Sequence, residues 1–141
     1  MKERVRAIIR QNDSILLIHR VKKGREYWVF PGGGVEESDS DRVAALIREC
    51  WEELGVNIRV SALFDAQVYG EGDNTQTEYF YFCEIINGML GTGTGPEFQE
   101  GSLGGMYKLE WVPLEKFPSK NIQPESVKEK LHKELRDDHR Y

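Results

Sequence analysis

The sequence predicts an α/β domain in which a mixed sheet lies between two helices. Apolar and alternating runs mark strands on both sides of a capped amphipathic helix, and a second helical stripe lies near the C-terminus. Val5 to Arg10 and Ile15 to Arg20 read as strands joined across Asn12-Asp13, a favourable turn pair. Ile15 to Ile18 is continuously apolar, as expected of a strand covered on both faces. The polar turn Lys22 to Glu26 leads to a short strand, Tyr27 to Phe30, and then to a glycine loop, Pro31 to Gly34. A helix starts near Ser40 or Asp41, both good N-caps, and stops at Gly55, a good C-cap. Its apolar stripe is Val43, Ala44, Leu46, Ile47, Cys50 and Leu54.

Asn57 to Tyr69 is strand-like, and Gly70 to Gln76 is a polar loop. Thr77 to Ile86 alternates, with Tyr79 and Tyr81 on one face and Phe80 and Phe82 on the other. Asn87 to Gly105 is glycine-rich and reads as an irregular connection. Met106 to Val112 is the last expected strand. Pro124, with Val127, Leu131 and Leu135 behind it, predicts the C-terminal helix. No internal repeat is visible, and 141 residues suit one domain, 1–141, better than two.

Composition narrows the function. No apolar run reaches membrane-spanning length, and the opening residues lack a signal-peptide core. Cys50 and Cys83 are too few for a disulfide framework or a zinc site, so a cytoplasmic protein is expected. A net charge of −5 argues against long nucleic acid as a partner. It leaves room for a small anion, because a bound divalent ion inverts the field of an acidic pocket.

The most informative pattern lies on the first helix. Glu49, Glu52 and Glu53 stand at i, i+3 and i+4 and share a face. In an exposed helix such like charges repel by roughly a few tenths of a kcal/mol per pair. Hard oxygens at that spacing are a site for magnesium or a similar ion; the plainer reading is a solvated acidic face.

Taken with Pro31-Gly32-Gly33-Gly34 and with Arg48 beside the first Glu, this run resembles the signature of the Nudix hydrolases, in their MutT-like form. The family pattern is Gly, Glu, Arg-Glu, Glu-Glu, Gly and an aliphatic residue. Arg48-Glu49, Glu52-Glu53, Gly55 and Val56 match it in type and spacing. Two positions depart. The usual Glu eight places before the Arg is Ser40; with the register taken from the glycine loop, Asp39 stands in for it, nine places before, in a loop longer by one residue. That register is preferred because loops absorb insertions. Cys50 also replaces an aliphatic residue, as a small hydrophobe.

The resemblance implies an α/β/α sandwich and hydrolysis of a diphosphate linkage in a nucleoside diphosphate derivative, with Mg²⁺, or Mn²⁺ in its place. It implies Glu49, Glu52 and Glu53 as metal ligands, helped by the main-chain carbonyl of Gly33 or Gly32. Glu49 is also a candidate base, oriented by Arg48. A further Glu from a loop is often used; Glu97 is favoured over Glu100. Arg20 and Arg25 are candidate phosphate contacts. Trp28 and Tyr79, with Tyr27 and Phe80 behind them, are candidate base-stacking rings, against a core role for each. His19 reads as structural.

The Pro that marks the ADP-ribose branch is replaced by Glu71, and Gly72 to Asn74 stand where the dinucleoside-polyphosphate branch has a Tyr. A nucleoside triphosphate, ordinary or oxidised, is left as the leading substrate. The alternatives are ADP-ribose or a nucleotide sugar, a nucleotide-binding sensor without turnover, and an isoprenyl diphosphate isomerase, which would need a reactive Cys. A homodimer through an edge strand or the C-terminal helix stays open.

Overall fold

The computed structural model describes residues 2–91 and 106–137. The chain forms two compact units, one of residues 1–9 and 31–100, the other of 10–30 and 101–141. Each contains strands in both parallel and antiparallel pairing and one long helix.

The first unit carries the glycine loop and the carboxylate helix. Strand β1, Lys2–Gln11, enters it with its first residues. The second unit holds β2, Ser14–Lys22, and β3, Arg25–Val29. Returning to the first unit, β4, Gly32–Gly34, pairs antiparallel with β1 in the register Arg4↔Gly34, Val5↔Gly33, Arg6↔Gly32. This strand was expected as loop. Glycines carry no strand propensity, and here the pairing rests on main-chain hydrogen bonds alone.

Helix α1, Arg42–Leu54, is capped by Asp41, whose side chain accepts from Ala44 N, and ends at Gly55 in the left-handed conformation. Strands β5, Val56–Tyr69, and β6, Gln76–Gly88, form a long antiparallel pair, and β6 runs parallel to β1. The helix packs on β4 and β5. Its buried residues are Ala45, Leu46, Cys50, Glu53 and Leu54, whereas Val43 and Ile47 face solvent. The expected stripe was therefore rotated and too wide. Glu53 lies on the buried side, and only its hydrogen bonding makes that tolerable.

In the second unit β2 is flanked by β3 and by β7, Met106–Pro113, both antiparallel. Ile15 to Ile18 are all buried, as their continuous apolarity required. Strand β7 is not the last. A 3₁₀ turn, Leu114–Ser119, leads to β8, Ile122–Gln123, which pairs parallel with β3. Two residues are too few for a readable alternation. Helix α2, Glu125–Asp137, follows Pro124 and buries Val127, Leu131 and Leu135 against that turn and β8.

Candidate active site

Arg48 is the hub of the first unit's polar face. Its Nε and Nη2 donate to the two carboxylate oxygens of Asp39, each at 2.9 Å, a two-pronged ion pair. Nη2 also donates to Gly34 O at 3.0 Å, and Nη1 to Glu52 Oε1 at 3.0 Å and Glu49 Oε1 at 3.3 Å. Glu36 lies 3.8 Å away. One guanidinium thus ties the loop that follows β4 to two of the helix carboxylates. Arg48 holds the Asp39 carboxyl below its ordinary range, and Asp39 raises the guanidinium in return.

Asp39 occupies this place because of its turn. Its main-chain N–H donates to Glu36 O at 3.0 Å, and its side chain accepts from Glu36 N at 2.8 Å. The register taken from the glycine loop is the one that puts a carboxylate on Arg48; Ser40 is not part of the clamp.

The other two ties are to glycines. Glu53 is 7% exposed, and its Oε1 accepts from Gly32 N at 2.8 Å. Glu49 lies over Gly33 so closely that a Cβ there would stand 1.5 Å from Oε2. The carboxylate fills the space a side chain would take. At Gly32, with φ +147°, a Cβ would meet Val5 O at 1.9 Å. Gly32 is therefore required by main-chain contact, whereas a side chain at Gly33 would displace only the end of the Glu49 side chain.

Beside these carboxylates runs a charged row that the sequence reading missed. Arg4 and Arg6 alternate along β1, and Glu78 on β6 is paired in register with Arg4. Arg6 Nε donates to Glu78 Oε2 at 2.6 Å, with both side chains largely buried. Burial and the charge of Arg6 lower the Arg4 guanidinium, while Glu78, Glu49 and Glu53 pull it back up. The readable signal was charge at alternate positions of a core strand, and a lone Glu in an aromatic one.

The remaining candidates divide by unit. In the first, Tyr79 lies under the Arg42 guanidinium, 4.0 Å from the ring centre, and its hydroxyl donates to Glu3 at 3.4 Å. Phe80 is fully buried, a core residue rather than a stacking platform. In the second, Trp28 is 6% exposed, stacked on His19 at 4.2 Å, and its Nε1 donates to Glu110 at 3.4 Å. The aromatic contact and the Glu26 bond at 2.7 Å make His19 a structural histidine. Arg20 sets its guanidinium over Tyr107, and its buried Nε has no hydrogen-bond partner among the described residues. Arg25 is exposed above Tyr27. Glu97 and Glu100 lie outside the described residues.

The donor set is hard oxygen, which suits magnesium or manganese. Among the described residues no three His, Cys, Asp or Glu side chains converge as a ready-made cage, and Glu52 is turned to Arg48. Cys50 is fully buried, with its thiol pushed well above the ordinary range by that burial. Cys83 is buried and pushed up to about 12. Neither has the lowered thiol a nucleophilic cysteine needs.

A mixed α/β fold with a glycine strand answering an Arg-Glu-x-x-Glu-Glu helix defines a Nudix-type protein. The sequence model of the NUDIX domain matches residues 1–133, and the chain belongs to that family. Members of the family generally use divalent metals. The uncharacterized Nudix hydrolase YvcI of Bacillus subtilis (strain 168) is 29% identical over 107 residues, 74% of this chain and 61% of that protein. The chain thus spans about three fifths of that relative's length.

Among solved structures, the E. coli ORF135 protein is 25% identical with a TM-score of 0.65, covering 90% of this chain and 84% of that one. A NUDIX hydrolase from Nitrosomonas europaea is 19% identical with a TM-score of 0.70, covering 99% and 91%. The MutT protein from Methanosarcina mazei Go1 is 19% identical with a TM-score of 0.67, covering 99% and 96%. The last two share the fold alone. No described helix is long and apolar enough to cross a membrane.

Proposed function

We propose that the chain, as one domain and in the cytoplasm, hydrolyses a diphosphate bond in a nucleoside diphosphate-linked substrate with Mg²⁺ as cofactor. A nucleoside triphosphate, ordinary or oxidised, is the leading substrate. The observation that carries the reading is the Arg48 clamp together with the Glu49–Gly33 and Glu53–Gly32 contacts. They fix two carboxylates against main chain, and the third, Glu52, on Arg48.

Glu49 and Glu53, with Glu52 and the main-chain oxygen of Gly33, would hold the ion. When bound, it neutralises phosphate charge and lowers the pKa of a coordinated water. The protein's own part is positional. Gly32 orients Glu53, Gly33 makes room for Glu49, and Arg48 aligns Glu49 through an anchor on Asp39. Glu49 can then take the proton of an attacking water, with Glu97 as the loop candidate for the same task. Tyr79 is the candidate substrate contact of the first unit; Arg20, Arg25 and Trp28 are candidates on the second.

The test is a panel of nucleotides and nucleotide sugars with Mg²⁺, scored for released phosphate or pyrophosphate, on wild type and Glu53→Gln. Gln keeps an oxygen for Gly32 N–H but loses the charge. Folding should therefore persist while turnover drops about a hundredfold or more. A Glu53→Gln enzyme with near-normal turnover would sink the mechanism. Tight binding of one nucleotide with no cleavage of any would make the chain a sensor.

A further inference from the structure

Arg4 is the one cation of the charged row that makes no hydrogen bond or ion pair within the described residues; Arg6 is held by Glu78. It is partly buried on β1 and lies close enough to Glu49 and Glu53 to feel their charge. It lines a cleft of about 500 Å³ with Lys2, Glu3, Gln76 and the segment Gly34 to Glu37.

Glu3 is bound by Arg42 at 3.0 Å, and Glu36 lies 3.8 Å from Arg48. Glu37 is exposed. Gly34, in register with Arg4, leaves open space where a side chain would stand, with no atom within 4 Å of a Cβ. The Arg4 guanidinium is half-buried, faces an open cleft and makes no side-chain hydrogen bond there among the described residues, so its donor fork is available to an anion that arrives with the ligand.

We infer that Arg4 is a substrate-contact residue, whose guanidinium takes the oxygens of a phosphate group in the cleft between β1 and the Gly34–Glu37 segment. This rests on the diphosphate reading of the neighbouring carboxylates and adds a residue to it. Arg4 supplies ground-state binding of the diphosphate and takes no part in proton transfer. A planar fork on two phosphate oxygens also makes lysine a poor substitute.

The experiment measures binding of inorganic pyrophosphate with Mg²⁺ by calorimetry to full-length wild type, Arg4→Gln and Arg4→Lys, beside steady-state kinetics on the nucleotide panel. Arg4→Gln should weaken pyrophosphate about tenfold or more and raise KM by a similar factor with kcat nearly unchanged. Arg4→Lys should fall between the two. If Arg4→Gln does not fold, labelling of wild-type arginines with phenylglyoxal gives the same reading: pyrophosphate should protect Arg4. Unaltered pyrophosphate affinity in a folded Arg4→Gln, or no protection of Arg4, overturns the inference even if the wild type hydrolyses nucleotides. Loss of affinity in Arg4→Gln when wild type cleaves nothing supports the phosphate site and defeats the hydrolase reading instead.

Discussion

Replacing Asp39 by Asn keeps the shape of the Arg48 clamp and removes its charge. Two hydrogen bonds of 2.9 Å join the pair, and their side chains are 23% and 6% exposed. A hydrogen bond to a charged group contributes about 1.5–3 kcal/mol. Asn retains one acceptor oxygen, and Arg48 keeps Gly34 O, Glu52 and Glu49. Its partial exposure to solvent lowers the figure further. We expect a loss of roughly 1–2 kcal/mol, read as a lower urea midpoint at unchanged slope. Because Arg48 orients Glu49, turnover on a cleaved nucleotide should fall about 10–100-fold. The pair should also couple: Asp39→Asn with Arg48→Gln should destabilise less than the sum of the two, by about 1 kcal/mol. Strict additivity, or a variant with wild-type midpoint and turnover, would refute the clamp.

The same pair sets part of the acid stability. Its folded carboxyl lies below the ordinary value of 3.8, so its contribution is complete above that pH and disappears as pH falls through the lower, folded value. An acid titration of stability should thus be flatter in Asp39→Asn than in wild type. The three loop glycines should separate cleanly on alanine substitution. Gly32→Ala meets main chain at positive φ and should destabilise by about 3 kcal/mol or more, whereas Gly34→Ala meets nothing and should be silent in melting. Gly33→Ala displaces only the Glu49 side chain, so it should fold and lose most turnover. A thiol reagent at neutral pH should label neither Cys50 nor Cys83 until the protein is denatured. Labelling of native Cys50 would contradict its burial and reopen the isomerase alternative.

How much of this was legible depended on whether a residue's role follows from local pattern. Asp41 and Gly55 could be placed because capping is a short-range matter of side-chain reach and backbone handedness. Ile15 to Ile18 and the Val127, Leu131, Leu135 stripe declared their burial by period. Strand β4 could not be seen, since three glycines pair through main chain alone. Val43 and Ile47 misled because the stripe is centred on Leu46, Cys50 and Glu53, and a buried carboxylate is not counted as core by any hydropathy rule. The carboxylates of α1 and Asp39 were readable through the family pattern. Arg4, Arg6 and Glu78 were not, because their meaning depends on β6 lying parallel beside β1, a pairing between residues more than seventy positions apart.

The turn from Glu36 to Asp39 carries a consequence of length. The family pattern sets a Glu eight places before the Arg; here Asp39, one methylene shorter, stands nine places before Arg48 and pairs with it. Relative to that pattern, the chain has one methylene less in the acid and one residue more in the turn. Such an exchange makes the two changes mutually dependent. Shortening the turn by a residue, or lengthening Asp39 to Glu, should each slacken or crowd Arg48. Made together, they should restore stability toward wild type. The loop length and the acid at its end would then have to alter as a unit, so a chain diverging from this one is expected to keep both or to exchange both.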